Sequence, residues 1–426
     1  MSIYIIDEIM GGGKTSAMIN HINKSTEEEK FLFITPYLKE VERIKKSCPG
    51  KKFKEPNALG GKLKNIKILL RKGHNIVSTH ALFSMFDSEA LSYVKELGYT
   101  LIIDEVVNAI DLKCLSKYDA DYVNTKLIST DESGKIVWKE SDYTGLFSDI
   151  KQMIESSDIF AYTDTTWVGL LPVELFTSFK DVYIMTYMFE YQLQRGYFDL
   201  QKIEYSSKYI TGNSIDTYEI TDTPVEKKYI DFKSLVNILD NEKLNKIGDS
   251  ETALSKNWYM KNINGSKGKE LKNDVQNYFH HYTGTKANQN LWTTYCDSDD
   301  EQFECRNKLK GNGYTKAFLP CNARGTNDYK DRTALAYLVN RFANPNIIQL
   351  FNKTGIEFDE DGYALSEMIQ WIWRSAIREG KPIQLYIPSK RMRNLLIQWL
   401  DEVSIPKENM EQGDENLIDE AVAVIS

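Results

Sequence analysis

The stretch IYIIDEIMGGGKTSAMINHI, residues 3–22, decides the fold of this chain. Its first four residues are apolar and predict a buried strand, and the residues after Ser16 have the composition of a helix. Between them, Gly11, Gly12 and Gly13 allow the backbone to wrap around a phosphate, while the helix N-terminus adds the positive end of its dipole. A strand, a glycine-rich turn and a helix in this order predict a phosphate-binding loop.

Three residues after the glycines are predicted to contact the ligand of this loop. Lys14 would reach the β- and γ-phosphates of a nucleoside triphosphate, the Thr15 hydroxyl would hold Mg²⁺, and Ser16 would join the nucleotide site. The strict pattern G-x-x-x-x-G-K-[ST] is not met, because Glu8 occupies the first glycine position. The alternative is a chance Gly-Lys-Thr in a surface turn, but the position between a first strand and a helix argues against it.

A second, independent motif follows the apolar strand Leu101–Ile103, which leads directly into Asp104 and Glu105. Asp104 is predicted to hold the shell of Mg²⁺, and Glu105 to orient and deprotonate an attacking water. Asp-Glu pairs are common on surfaces, but a buried strand leading into this one argues against a merely solvated pair. The two motifs together predict a P-loop NTPase that binds ATP and Mg²⁺.

Apolar runs alternate with helical periodicity through the first half of the chain. The runs that predict buried strands are residues 3–6, 31–35, 75–79 and 101–104. Because they are apolar nearly throughout, they are typical of a parallel sheet covered by helices on both faces. We therefore predict an α/β fold in which ligands bind at the carboxyl ends of the strands.

Length and charge limit the number of domains and the kind of partner that can be expected. The 426 residues are enough for two domains, and the net charge of −8 is unevenly distributed. Residues 401–426 carry −7, whereas residues 39–72 carry +9. The basic stretch fits a phosphate backbone, although a solvated helical face explains it equally well. The acidic tail reads as a solvated segment.

Other features argue against membrane and metal-cluster proteins. The N-terminus has no basic leader, and no run of about 18 apolar residues occurs, so we expect a cytoplasmic protein without a membrane span. The five cysteines are spread out without a C-x-x-C, which predicts neither disulfides nor zinc. The side chains of the adjacent His280 and His281 would point apart on a helix, so they would form a poor metal site.

The first half resembles superfamily 2 helicases. Residues 33–36 are similar to motif Ia of that family, residues 77–80 to motif Ib, and residues 181–187 to the strand that ends in motif III. The resemblance implies that Thr35, Pro36, Thr79, His80 and Thr186 contact nucleic acid. Thr186, in motif III, would also couple the grip on the strand to the ATP state.

The resemblance continues in the second half. Residues 317–320 read as a strand leading to 322–328, which are similar to motif V and imply a nucleic-acid contact by Arg324 and nucleotide contacts by Gly325 and Asp328. Residues 337–340 resemble the strand that follows motif V. Motif order and approximate spacing agree with this family, and the resemblance implies two RecA-like P-loop NTPase lobes, each a mostly parallel sheet flanked by helices.

Residues 370–378 resemble motif VI and imply catalytic roles for Gln370, Arg374 and Arg378. An arginine supplied by the opposite lobe would stabilise the charge on the γ-phosphate only when the lobes close. The three residues are four apart, so on a helix they share one face. Trp373 replaces the usual glycine and the second arginine comes one residue late, so either arginine can be the finger. The alternative is an amphipathic core helix with solvated arginines.

We predict the domain ranges 1–190 for lobe 1, 191–285 for a linking or inserted region, 286–403 for lobe 2 and 404–426 for the acidic tail. The linking region has strand-like pieces at 196–205 and 214–221 and a helical pattern over 271–279.

The runs 322–324 and 364–367 resemble helicases of tailed-bacteriophage replication modules. The resemblance implies an ATP-dependent DNA helicase or translocase in phage DNA replication or recombination. Its expected partners are single-stranded or forked DNA, with RNA left open, and other phage replication proteins. The alternatives are a DNA-stimulated ATPase that translocates without unwinding, a terminase-like packaging ATPase with a nuclease, and a nucleotide kinase or switch.

Overall fold

The computed structural model describes residues 1–36, 38–58, 60–132, 134–225, 231–295, 305–323 and 328–404, and the chain divides into two compact units. Unit 1 comprises residues 1–225 and 344–358, and unit 2 comprises residues 226–343 and 359–426. Of the predicted linking region, residues 191–225 lie in unit 1 and the remainder in unit 2.

Unit 1 alternates strands and helices along most of its length. Its elements are β1 (Ser2–Asp7), α1 (Lys14–Lys24), β2 (Phe31–Thr35), α2 (Leu38–Ser47), α3 (Lys62–Arg71), β3 (Ile76–Thr79), α4 (His80–Phe83), α5 (Ser88–Leu97), β4 (Thr100–Asp104), β5 (Ile110–Cys114), α6 (Lys117–Tyr122), β6 (Ile128–Thr130), β7 (Ile136–Trp138), α7 (Ser148–Ser156), β8 (Asp158–Thr163), β9 (Thr166–Leu170), α8 (Glu174–Thr177), β10 (Asp181–Thr186), α9 (Leu193–Leu200), β11 (Ser206–Thr211) and β12 (Glu219–Thr221).

The main sheet of unit 1 has the strand order β12-β11-β1-β10-β4-β2-β3. Every neighbouring pair is parallel except β11 and β12, which form an antiparallel hairpin at the edge. Because parallel strands end at the same edge, the segments after β1, β10, β4, β2 and β3 are brought together. The four strands predicted in the first half are confirmed.

Both faces of this sheet are buried, which explains why its strands are apolar throughout rather than alternating. Ile103 packs on one face with residues of α3 and α5, and its neighbour Ile102 packs on the other face with residues of α1 and α2. The sheet therefore lies between two layers of helices, as the sequence predicts.

A smaller region of unit 1 is inserted between β4 and β10. It contains a three-stranded antiparallel sheet, ordered β5-β9-β8, and the β6-β7 hairpin. Val123, Ile150, Ile159 and Trp167 belong to its hydrophobic core. This antiparallel insertion was not predicted from the sequence.

Residues 344–358 form a part of unit 1 that is distant in sequence from the rest of that unit. They contain helix α15 (Pro345–Thr354), whose Phe351 is fully buried in the core of unit 1. The Phe351 ring lies so close to Gly196 that a Cβ atom on this glycine would come within 2.4 Å of it. Arg195 also donates a hydrogen bond of 2.7 Å to the carbonyl of Glu357. This segment completes the helical layer on one face of the main sheet.

Unit 2 is built on a second parallel sheet. Its elements are α10 (Phe232–Leu235), β13 (Val236–Ile238), α11 (Glu242–Asn245), α12 (Lys256–Asn262), α13 (Ser266–Asn277), β14 (Asn290–Thr293), α14 (Cys305–Leu309), β15 (Ala334–Tyr337), α16 (Glu360–Ile372), β16 (Ile383–Tyr386) and α17 (Lys390–Val403). The strand order of the sheet is β13-β16-β15-β14. Each unit is thus a mostly parallel sheet flanked by helices, and the predicted α/β fold class is confirmed.

Three local predictions are wrong. Residues 196–205 do not form a strand, because α9 occupies 193–200 and buries Tyr197 and Phe198. A short apolar run fits a helix as well as a strand, and tertiary packing decides between them. Residues 214–218 form the turn of a hairpin, so only 219–221 are extended. Residues 317–320 form a single β-bridge, from Phe318 to Trp292, instead of a strand.

A single helix through residues 370–378, on which the three motif VI residues would share a face, is not formed, because α16 stops at Ile372. Trp373 caps it and packs its ring against Phe232 and Trp399, with centroids 5.0 and 5.5 Å apart. Ala376 then donates a backbone hydrogen bond of 2.9 Å to Arg332, and residues 376–379 form a separate 3₁₀ turn. Gln370, Arg374 and Arg378 therefore do not share the face of one helix.

Within the part of the chain that the structure describes, no helix combines the length and the apolar character that crossing a membrane requires.

Candidate functional site

The glycine-rich loop follows the carboxyl end of β1 and leads into α1, as predicted. Gly11 and Gly13 have φ angles of 88° and 90°, in the left-handed region that favours glycine. Gly12 donates a backbone hydrogen bond of 2.9 Å to Ile9, which closes the turn. The backbone N–H groups of the first turn of α1, which begins at Lys14, have no acceptor within the helix and lie at the end of this loop. The arrangement is suited to an anion.

Lys14 is 9% exposed and folds back over the loop. Its ammonium donates hydrogen bonds to the carbonyl of Glu8 and, at 3.1 Å, to the carbonyl of Ile9. Burial lowers the pKa of Lys14, and nearby carboxylates, with Glu105 first, oppose that change. The ammonium is thus bound to the loop and lies within electrostatic range of the acidic pair at the end of β4.

The acidic pair lies at the end of β4, and β10 separates this strand from β1. Burial, followed by the neighbouring charge of Glu105, raises the pKa of the Asp104 carboxyl to about 7. Glu105 has a left-handed φ of 69° and donates its backbone N–H to Met185 at 2.9 Å. This backbone turn, anchored on β10, directs the chain away from the sheet immediately after the two acids.

The predicted nucleic-acid residues of unit 1 lie at the same edge of the sheet. Thr35 and Thr186 are fully buried, and neither hydroxyl has a hydrogen-bond partner among the described residues. Thr79 is the register partner of Thr35. His80 lies beside the acidic pair, with its Nε2 3.0 Å from the carbonyl oxygen of Asp104. Pro36, directly after β2, is half-buried.

Sequence reasoning missed Asp7, the last residue of β1. Its two carboxylate oxygens accept backbone N–H groups of Met188 and Phe189, each at 2.7 Å. These bonds tie the start of the glycine-rich loop to the segment after β10. An acid at the end of a first strand, directly before a glycine turn, was the available sign.

Tyr218 was also missed. It lies in the β11–β12 hairpin, and a Cβ atom on Gly13 would come within 2.7 Å of its ring. No local pattern in the sequence connects a tyrosine at this distance along the chain with the loop.

In unit 2, the predicted motif VI residues have different environments. Gln370 and Arg374 are both 4% exposed, and the Nε2 of Gln370 has no hydrogen-bond partner within the described residues. Arg378 is half-buried in the turn after α16, and Asp328 is exposed. The predictions for Arg324 and Gly325 lie outside the described residues.

A buried polar network at the end of β15 was not predicted. Asn340 donates hydrogen bonds of 2.8 Å to the carbonyls of Glu251 and Ala253 and accepts one of 3.0 Å from Arg391. Arg341 donates a hydrogen bond of 3.0 Å to the hydroxyl of Tyr363. These contacts fix the loop after β15 to its surroundings.

Comparisons with known proteins agree with this organisation. Residues 230–400 match the model of the YonV C-terminal Rossmann-like domain, and residues 104–168 match that of the YonV middle domain. The SPbeta prophage-derived uncharacterized protein YonV of Bacillus subtilis (strain 168) is 38% identical over 416 residues, which cover 94% of this chain and 98% of the relative. The middle-domain match coincides with most of the antiparallel insertion.

Solved structures show weaker similarity. An XPD helicase is 11% identical, with 93% of this chain and 94% of the other covered and a TM-score of 0.49. The Xpd4 protein of S. tokodaii is 13% identical, with 96% and 95% covered and a TM-score of 0.46.

Proposed function

This chain belongs to the YonV family, and we propose that it is an ATP-hydrolysing motor of the superfamily 2 helicase type that acts on DNA. The observation that carries the proposal is the single sheet edge of unit 1, where the glycine-rich loop, Lys14 and the pair Asp104 and Glu105 converge. An anion-binding turn beside two acids is the arrangement that hydrolysis of a metal-bound triphosphate requires.

In this proposal, the backbone of Gly11, Gly12 and Gly13 and the first turn of α1, including Ser16, cradle the phosphates. Lys14 exchanges its two carbonyl acceptors for oxygens of the β- and γ-phosphates. Because the carbonyls already compensate the buried ammonium, its release requires a strong anion, which a triphosphate supplies.

Mg²⁺ fits the remaining residues. Burial and then the charge of Glu105 raise the pKa of the Asp104 carboxyl, against the opposing effect of Lys14 and Arg43, so a cation bound at Asp104 would favour its charged form. Asp104 and the Thr15 hydroxyl would hold the ion, which takes few protein ligands when phosphates provide others. When bound, it would neutralise charge on the phosphates, while Glu105 orients and deprotonates the attacking water.

The motor part of the proposal depends on unit 2 and on the resemblance to helicases. Gln370, Arg374 and Arg378 would act on the γ-phosphate, and Gly325 and Asp328 would contact the nucleotide. Arg324, Thr35, Pro36, Thr79, His80 and Thr186 would grip the strand or couple that grip to the ATP state. The basic stretch 39–72 supports a polyanionic partner. A relative encoded by a prophage supports a role in phage DNA replication or recombination in the host cytoplasm.

The test is ATP hydrolysis by the full chain with single-stranded, duplex and forked DNA and with RNA, at two salt concentrations. Lys14→Ala should lose hydrolysis at least about a hundredfold, and Glu105→Gln should still bind ATP while losing turnover. Lys117→Ala and Glu96→Gln, which change exposed side chains of the same unit, are the matched controls. Normal turnover in either site variant would refute the assignment of the nucleotide site.

Arg374→Ala and Arg378→Ala, measured with and without DNA, identify the arginine finger. If both variants keep full DNA-stimulated hydrolysis, the proposed role of these arginines is wrong. Stimulation without strand separation on forked DNA would indicate a translocase, and no stimulation by any polymer would refute the motor.

A further inference from the structure

The hairpin formed by β11 and β12 projects beyond the sheet edge that carries the nucleotide site. Strand β11 runs parallel to β1, with Ile6 in register with Lys208, so both strands end at the same edge. The turn of the hairpin, residues 212–218, therefore extends alongside the glycine-rich loop. At Gly212 the φ angle is 99°, and a Cβ atom would lie 2.2 Å from the carbonyl oxygen of Thr217, so the turn is tightly closed.

Helix α1 holds this turn in place. The side-chain amide of Asn20 donates hydrogen bonds of 2.8 Å to the carbonyl of Ile215 and 3.0 Å to that of Tyr218. Lys24 and Glu219 form an ion pair further along the helix. Because one side-chain amide binds two backbone carbonyls of the turn, the position of Tyr218 relative to the loop before α1 is fixed.

The ring of Tyr218 lies against Gly13 and is only partly buried. A Cβ atom at Gly13 would come within 2.7 Å of three ring carbons, so a glycine at this position allows the ring to approach. The ring also packs against the hydrophobic cluster that contains Ala17, Met18 and Ile210, and part of its surface remains exposed.

Strand order sets the direction in which a bound nucleotide must extend. The acids Asp104 and Glu105 follow β4, which lies on one side of β1 across β10, whereas β11 lies on the other side. A triphosphate whose terminal phosphate faces the acids, and whose middle phosphate meets Lys14, directs its ribose and base away from β4. The hairpin turn with Tyr218 stands on that side.

We propose that Tyr218 stacks against the base of the bound nucleoside triphosphate. The inference rests on the proposed function, because it requires a triphosphate at the glycine-rich loop. Every base has a π-face, so stacking on a tyrosine stabilises all of them to a similar degree. As far as Tyr218 determines affinity, the site should bind GTP, CTP and UTP with affinities within about tenfold of that for ATP.

The experiment compares binding of Mg²⁺-ATP and Mg²⁺-tripolyphosphate to the full chain by calorimetry. Tyr218→Ala should weaken ATP binding about tenfold and leave tripolyphosphate binding unchanged, because only ATP has a base to lose. Tyr218→Phe and Tyr218→Trp should bind ATP like the wild type, since they keep the aromatic face. Tyr118→Ala, which removes an 88% exposed tyrosine of the same unit, is the matched control.

The outcomes separate this inference from the proposed function. A wild-type chain that binds neither ligand refutes the nucleotide site itself. A wild-type chain that binds both, together with a Tyr218→Ala variant whose ATP affinity is unchanged, refutes stacking alone. Equal loss of both ligands would mean that Tyr218 supports the loop, and tighter binding of both would mean that it blocks the loop; either result overturns the proposal.

Discussion

Asp104 should make unit 1 less stable as the pH rises. Its ordinary pKa of 3.8 is raised to about 7 in the folded chain, mainly by burial and then by Glu105. Below about pH 4, the carboxyl is protonated in both the folded and the unfolded chain, so it does not lower the stability of unit 1. As pH rises towards 7 the unfolded chain loses the proton first, and stability falls; above about pH 7 the full cost remains.

The size of the effect follows from the difference between the two pKa values. A rise of about three corresponds to at most about 4 kcal/mol. Asp104 retains some exposure to water, which screens its charge, so we expect about 2 kcal/mol. Asp104→Asn removes the ionisable group and should raise the free energy of unfolding by this amount near pH 8 and by less near pH 5.

The assay is amide hydrogen exchange of the β1 and β4 peptides, which reports the opening of unit 1 separately from unit 2. Wild type and Asp104→Asn are compared at the same pH, so the intrinsic pH dependence of exchange cancels. Asp111→Asn, which changes an exposed carboxyl of the same unit, should show no difference from the wild type. If Asp104→Asn does not raise the free energy of unfolding near pH 8, or raises it equally near pH 5, the electrostatic explanation is wrong.

Two further predictions concern close contacts of glycines. Gly13→Ala should lower thermal stability more than Gly11→Ala, because both are left-handed but only Gly13 faces the ring of Tyr218. Adding Tyr218→Ala to Gly13→Ala should recover part of the loss, and strictly additive effects would contradict the contact. Gly196→Ala should destabilise unit 1 by about 1–3 kcal/mol through overpacking against Phe351. Phe351→Leu in that background should recover part of this loss, whereas an unchanged melting temperature for Gly196→Ala would refute overpacking.

Parts of the fold that depend on short stretches of sequence could be predicted. The positions of the loop at residues 8–15 and of the acids at 104–105, each at the end of a strand, could be predicted because each motif combines an apolar strand with neighbouring polar residues. Buried parallel strands also have a distinctive composition. The fold class followed from these local patterns.

Features that depend on distant residues could not be predicted. The helix containing Gln370 fits a longer periodic pattern, but it ends at Ile372, where the next residue, Trp373, packs its ring against Phe232 and Trp399. The approach of Tyr218 to the loop depends on a strand added at the sheet edge much later in the chain. Neither effect leaves a local pattern, because the deciding partners are far away in sequence.

The packing of residues 344–358 in the core of unit 1 has a consequence for synthesis of the protein. A ribosome must translate most of unit 2 before Phe351 can reach its place beside Gly196. Until then, the nascent first unit exposes the apolar surface that α15 covers, including the neighbourhood of Tyr197 and Phe198. This unit therefore cannot finish folding in the usual N-terminal-first order, and a chain truncated after residue 225 should be prone to aggregate.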